Sequence, residues 1–129
     1  MTAYFLLSAE TRFSAAHTLP GIEACERMHG HDWRVRLSVR IERGAVDRSD
    51  LAVDFRVLEE VARAAVADLD HRYLNELPPF AGRGATAERV AEVVYERASG
   101  RLAGRAPQAR LTEVTVWETP EYEVVYRPA

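Results

Sequence analysis

Three of the four histidines in this 129-residue sequence, His17, His29 and His31, fall within one fifteen-residue stretch. In an extended chain alternate residues share a face, so His17 goes with Phe5, Leu7 and Phe13, while His29 and His31 go with Trp33, Val35 and Leu37. Two neighbouring strands with this parity would aim three imidazoles into one partly buried space. A lone histidine is by default a loop or core residue satisfied by hydrogen bonds. Three neutral imidazoles with a vacant fourth position are instead the ligand set of a catalytic zinc centre, where a bound hydroxyl or carbonyl is polarised. Asp32 and Glu23 are close in sequence, and neither closes the set convincingly.

Other reactive side chains surround this group. Cys25 lies four residues before His29 in Cys25-Glu-Arg-Met-His29-Gly-His31. Two readings stay open: a small buried hydrophobe or fourth ligand of a structural zinc, or a thiol beside a cation that loses its proton readily and acts as base or nucleophile. Asp70 precedes His71, and a carboxylate can orient an imidazole for proton transfer. Adjacent helical residues do not face each other, however, and a cation at a helix's negative end is the simpler local account. Glu118 shares parity with Val114 and Val116, and a buried carboxylate is costly unless something pairs with it. A ring presenting two adjacent N–H donors, such as an aminopyrimidinone, would do so; a strand end reaching solvent serves equally well.

The elements that must position these groups follow from hydrophobic periodicity. Trp33 to Ile41 alternates apolar and polar residues as a half-buried antiparallel strand does, and Phe5 to Phe13 alternates less cleanly. Phe55, Leu58, Val61, Ala62, Ala65 and Leu69 recur at helical spacing, which predicts a helix from Phe55 to Leu69 closed by Asp70-His71. Pro78, Pro79, Gly82 and Gly84 break the chain. Thr86 then caps a second helix carrying Val90, Val93, Val94, Ala98 and Leu102, which Gly100 and Gly104 weaken. Leu111 to Thr119 and Glu123 to Arg127 read as strands joined by a turn at Pro120. This order predicts an α+β domain, an antiparallel sheet with its helices on one face. Its open edges invite assembly of several copies.

Composition sets outer bounds. At 129 residues one domain, residues 1–129, is expected. The hydrophobic fraction of 47% and charged fraction of 29% belong to an ordinary globular chain. With 17 Lys+Arg against 20 Asp+Glu the net charge is −3, and no basic stretch tracks a phosphate backbone, so nucleic acid is not an expected partner. The single cysteine excludes an internal disulfide and fits a reducing, cytoplasmic setting. Neither a signal peptide nor a membrane span is expected.

Taken in order, Phe13-Ser-Ala-Ala-His17, Cys25-x-x-x-His29-Gly-His31, Val53-Asp-Phe55, Leu69-Asp-His71-x-x-Leu-Asn75, Thr86-Ala-Glu88 and Trp117-Glu-Thr119 resemble the motifs of the 6-pyruvoyltetrahydropterin synthase family, including its bacterial 6-carboxytetrahydropterin synthase branch of queuosine biosynthesis. The resemblance spans essentially the whole chain. It implies the tunnelling fold, a four-stranded antiparallel sheet with two helices that assembles through trimeric rings into a barrel-like homo-hexamer with active sites between subunits. It also implies that His17, His29 and His31 bind Zn2+, that Cys25 is the proton-abstracting base and that Asp70 and His71 complete a proton relay. Glu118 would anchor the pterin ring, and Thr86 would help to line its pocket. The implied reaction converts 7,8-dihydroneopterin triphosphate to 6-carboxy-5,6,7,8-tetrahydropterin with release of acetaldehyde and triphosphate. The alternatives are the lyase that forms 6-pyruvoyltetrahydropterin and a non-catalytic, zinc-stabilised pterin-binding protein. Aldolase-like members resemble the chain but lack the cysteine. Ala85 departs from a usual proline, Asp32-Trp33 from an uncharged residue and a smaller aromatic, and Ile22-Glu23-Ala24 is less basic than a triphosphate site would suggest.

Overall fold

A computed structural model describes residues 3–22 and 26–129; Cys25, with Glu23 and Ala24, lies outside the described residues. Strand alternation runs further than the periodicity alone required. β1 spans Tyr4–His17 and β2 spans His29–Glu42. They pair antiparallel along their whole length, with Phe13 opposite Trp33 and His17 opposite His29. From Phe13 to His17 in β1 and from Trp33 to Ile41 in β2 alternate residues are buried, so one face of this part of the sheet is a core face.

Two helices cover that face. α1, Phe55–Val66, is capped by Asp54, whose side chain accepts a hydrogen bond from Arg56 N–H. α2, Ala87–Arg105, is capped by Thr86, which accepts from Arg89 N–H at 3.1 Å. Leu58, Val61, Ala62 and Ala65 of α1 and Val90, Val94 and Ala98 of α2 share one core with Trp33, Val35, Leu37 and Val39. The chain returns through β4, Arg110–Thr119, and β5, Tyr122–Tyr126. This is the α+β arrangement expected, with four long antiparallel strands and the helices on one face.

Four details differ from the sequence expectation. A fifth strand, β3, Arg72–Tyr73, pairs parallel to Ala15 and Ala16 and completes the order β3-β1-β2-β4-β5. Two residues are too short to show a period, so no local pattern could announce it. α1 ends at Val66 rather than Leu69: Leu69 N–H turns back to Val66 C=O at 2.9 Å, and Leu69 is buried from a turn. Phe55, counted with the buried face, is exposed. α2 continues through Gly100 and Gly104 to Arg105, because Ala98 and Leu102 on the same helix are buried and their packing outweighs a cost of about 1 kcal/mol per glycine. No helix among the described residues is long and apolar enough to cross a membrane.

Candidate metal centre and its surroundings

The register of β1 on β2 brings the ends of both strands together, and with them the histidines. Ring centroids of His17 and His29 are 4.5 Å apart, those of His17 and His31 5.2 Å, and those of His29 and His31 4.9 Å. The Trp33 ring packs nearly perpendicular to those of His17 and His31, with centroids 5.1 and 5.7 Å away, and supports the imidazoles. Trp33 is itself tied to β1 by its indole N–H, which donates to Ala15 C=O at 3.2 Å.

Hydrogen bonds set the tautomers. His17 Nδ1 lies 2.7 Å from Ala85 C=O, and His29 Nδ1 lies 2.8 Å from Arg27 C=O. A carbonyl only accepts, so each Nδ1 carries the proton and each Nε2 presents a lone pair. His17 Nε2 and His31 Nε2 are buried with no hydrogen-bond partner among the described residues. Orphaned, buried nitrogens are costly, and a shared cation is the partner that suits their chemistry. Burial lowers the His31 pKa; nearby Glu118 opposes this, and His17 and His29 reinforce it, which favours the neutral, ligating form. One ligand atom each from His17, His29, His31 and Glu118 all lie within 4.8 Å of one another, so the residues fit a divalent metal.

Glu118 is thus brought into the histidine group, a proximity that its strand parity could not reveal. Thr86 stands next to Ala85, the residue that orients His17, and its hydroxyl serves as the α2 cap. Asp70 and His71 are placed differently from the helix end expected. They sit in the turn after α1, where His71 adopts φ 60°, and off the helix the neighbours do pair, His71 Nδ1 to Asp70 Oδ1 at 3.0 Å. Ser14 clamps the dyad: its N–H donates to Asp70 Oδ1 at 2.9 Å, and its C=O accepts from His71 N–H at 2.6 Å. The Ser14 N–H holds the Asp70 carboxyl below the usual carboxylate range, with His71 adding to the effect. The His71 side chain is 82% exposed. It lines an open cleft of about 520 Å³ together with His31, Asp32, Ser14 and Tyr73.

Sequence reasoning missed two positioning residues. Ser14 Oγ donates to Asp32 Oδ1 at 2.6 Å, joining the dyad's clamp to the β2 strand of the histidines. Asn75 acts as a strand in miniature: Thr18 N–H donates to its Oδ1 at 2.9 Å, and its amide donates to Thr18 C=O at 3.0 Å. This holds the residue after His17 against the segment that follows His71. The Leu-Asn75 ending of the fourth motif was the available signal, but only the fold names its partner.

A family model described as 6-pyruvoyl tetrahydropterin synthase matches residues 6–129. The chain is 32% identical over 130 residues to the 6-carboxy-5,6,7,8-tetrahydropterin synthase of Bacillus subtilis, covering 96% of this chain and 86% of that one. It is also 32% identical over 114 residues to the dihydroneopterin monophosphate aldolase of Pyrococcus furiosus, covering 87% and 88%. A 76-residue match to an Archaeoglobus fulgidus protein, at 34% identity, spans 59% of this chain and only 64% of that relative. The Caenorhabditis elegans 6-pyruvoyl tetrahydropterin synthase structure superposes with a TM-score of 0.82 at 23% identity over 99% of this chain and 98% of that one, a likeness of fold.

Proposed function

The chain belongs to the 6-pyruvoyl tetrahydropterin synthase family, and from that premise we propose that it is a zinc-dependent lyase that converts 7,8-dihydroneopterin triphosphate to 6-carboxy-5,6,7,8-tetrahydropterin, releasing acetaldehyde and triphosphate in queuosine biosynthesis. The observation that carries this reading is the convergence of His17, His29 and His31, with buried Nε2 atoms at His17 and His31 that have no hydrogen-bond partner among the described residues. Zinc held there supplies a Lewis-acid centre that polarises a substrate oxygen and makes the neighbouring carbon-bound proton acidic.

The chain's own residues do the rest. Cys25 removes that proton as a thiolate. Asp70, kept ionised by Ser14, orients His71, whose exposed ring passes protons on. Glu118 accepts the paired N–H donors of the pterin, and Thr86 lines the pocket beside it. Residues 1–129 act as one catalytic domain in this reading, in a cytoplasmic setting that keeps Cys25 reduced.

The protein works as a homo-oligomer, a hexamer of trimeric rings. Two open sheet edges support this. β3 covers β1 only at Ala15 and Ala16, and Asp70 and His71 occupy the main chain of Ser14, so Tyr4 to Phe13 leave one edge free, and β5 forms the other. Tyr4, Phe5, Leu6, Leu51 and Phe55 are exposed at or near the first edge, and Tyr122 and Val125 on the second. Joining such edges between copies satisfies their backbone groups and covers the apolar residues. An outward-facing His71 suits a site completed at a subunit boundary.

Incubation with 7,8-dihydroneopterin triphosphate and identification of products by mass spectrometry tests the reaction. Acetaldehyde and 6-carboxytetrahydropterin are expected. Formation of 6-pyruvoyltetrahydropterin with no acetaldehyde would replace this reading with the triphosphate lyase, and unchanged substrate would favour a non-catalytic pterin-binding protein.

A further inference from the structure

The carboxylate assigned to the pterin stands close to the imidazoles. β2 and β4 pair as far as Arg34 opposite Trp117, and the register of β4 on β5 shifts between Trp117 and Thr119, so Glu118 lies just past the last β2–β4 pair, at an irregularity of the strand. Glu118 Oε1 is 3.3 Å from His31 Nε2. Yet His31 Nε2 makes no hydrogen bond to any described residue, so the two atoms are near without the alignment of donor and acceptor.

That combination has a simple geometric source. A hydrogen bond points one atom's proton at the other's lone pair, whereas two ligands of one cation point both lone pairs at a third position. With zinc–nitrogen and zinc–oxygen bonds of about 2.0–2.2 Å, the edge between two ligand atoms of a tetrahedron is roughly 3.4 Å. The 3.3 Å separation matches the length of such an edge. The four candidate ligand atoms all fall within 4.8 Å of one another, so the remaining edges need to contract by no more than about 1.4 Å. Both side chains are mostly buried, at 18% and 23% exposure, and a carboxylate there is stabilised by a cation or a donor pair. With no pterin present, the described residues offer Glu118 no hydrogen-bond donor pair, and the imidazole cluster is where a cation would sit.

We propose that Glu118 is the fourth metal ligand of the substrate-free protein and leaves that position when a pterin enters, so that one carboxylate serves the metal and the ring in turn. The inference rests on the three-imidazole centre and on the pterin-anchoring role given above. Its consequence is a resting centre closed to stray ligands, in which pterin binding opens the coordination position the reaction needs.

Co2+ titration of the metal-stripped protein, followed by visible absorption, tests this with no turnover involved. Wild type, Glu118→Gln and His17→Ala are compared, with circular dichroism to establish that each is folded. Outer-shell partners of metal ligands are typically worth ten- to a hundredfold in affinity, so loss of a direct ligand in Glu118→Gln should weaken Co2+ at least tenfold and alter the spectrum. Saturating 7,8-dihydroneopterin, which has no triphosphate to lose, should shift the wild-type spectrum toward that of the pterin-free Glu118→Gln protein. Equal Co2+ affinity and identical spectra for wild type and Glu118→Gln without pterin would overturn the proposal while leaving the imidazole centre intact. A wild-type Co2+ spectrum that saturating pterin leaves unchanged would refute the exchange, since Glu118 would then stay on the metal. Should His17→Ala bind Co2+ as wild type does, the three-imidazole centre itself fails, and this inference with it.

Discussion

Replacing Asn75 by Ala should loosen the join between the histidine strand and the dyad without touching either. The amide of Asn75 makes two hydrogen bonds to the main chain of Thr18, at 2.9 and 3.0 Å, in a half-buried position one residue beyond His17. Each such bond contributes a net 0.5–1.5 kcal/mol or so, and alanine leaves both Thr18 groups unpaired, so the loss should be about 1–3 kcal/mol. For a domain of this size that corresponds to a fall in Tm of roughly 4–12 °C. The Thr18–Tyr73 hydroxyl contact and the His17–Ala85 bond remain, so metal affinity should fall only a fewfold. Urea unfolding with an unchanged m-value, alongside chelator competition for zinc, measures both effects. Asn75→Asp keeps the acceptor but loses the donor, so at neutral pH it should be no more stable than the alanine variant; acid, by supplying a proton for Thr18 C=O, should narrow its deficit. An alanine variant within about 0.5 kcal/mol of wild type would place Asn75 among ordinary surface residues and refute the reasoning.

Cys25→Ala should abolish turnover while zinc content, measured by elemental analysis, stays at the wild-type level; undiminished product formation would remove the assigned base. Asp70→Asn should show a pH signature. The folded pKa of Asp70 is depressed by the Ser14 N–H and by His71, so its carboxylate stabilises the fold above the unfolded value near 4 and that contribution is lost as pH falls through the lower folded value. The stability gap between wild type and Asp70→Asn in urea should therefore be level from neutral pH to about 5 and shrink below about 4; shrinkage already near pH 6 would contradict it. Stripping metal with a chelator should lower Tm by the linkage of binding to folding, about 2.7 kcal/mol of stability when free zinc had stood at a hundred times its Kd. Identical melts with and without chelator would argue that the orphaned His17 Nε2 has some other partner.

Much of this architecture was legible because period-two and period-3.6 patterns are local. Parity alone aligned His17 with Phe13 and His31 with Trp33, and the strand pair β1–β2 then needed only its register to unite them. The same locality explains the capping position Thr86, set by the residues just after it. Asp70 and His71 were harder, because the helical pattern through Leu69 placed them on a helix where neighbours diverge. The left-handed backbone at His71 arises where the chain leaves α1 and must swing over to lay Arg72 and Tyr73 beside β1. No propensity within the segment announces a conformation imposed by a distant strand.

The amino-acid order by itself determined which residues alternate, which faces are apolar, and that three imidazoles belong to one face, since these follow from backbone geometry over a few residues. Only the tertiary structure decided that Glu118 stands 3.3 Å from His31, that Ser14 clamps the dyad, and that Asn75 completes the strand after His17. Those contacts join segments tens of residues apart, and their distances depend on strand register and helix packing, which no local pattern encodes.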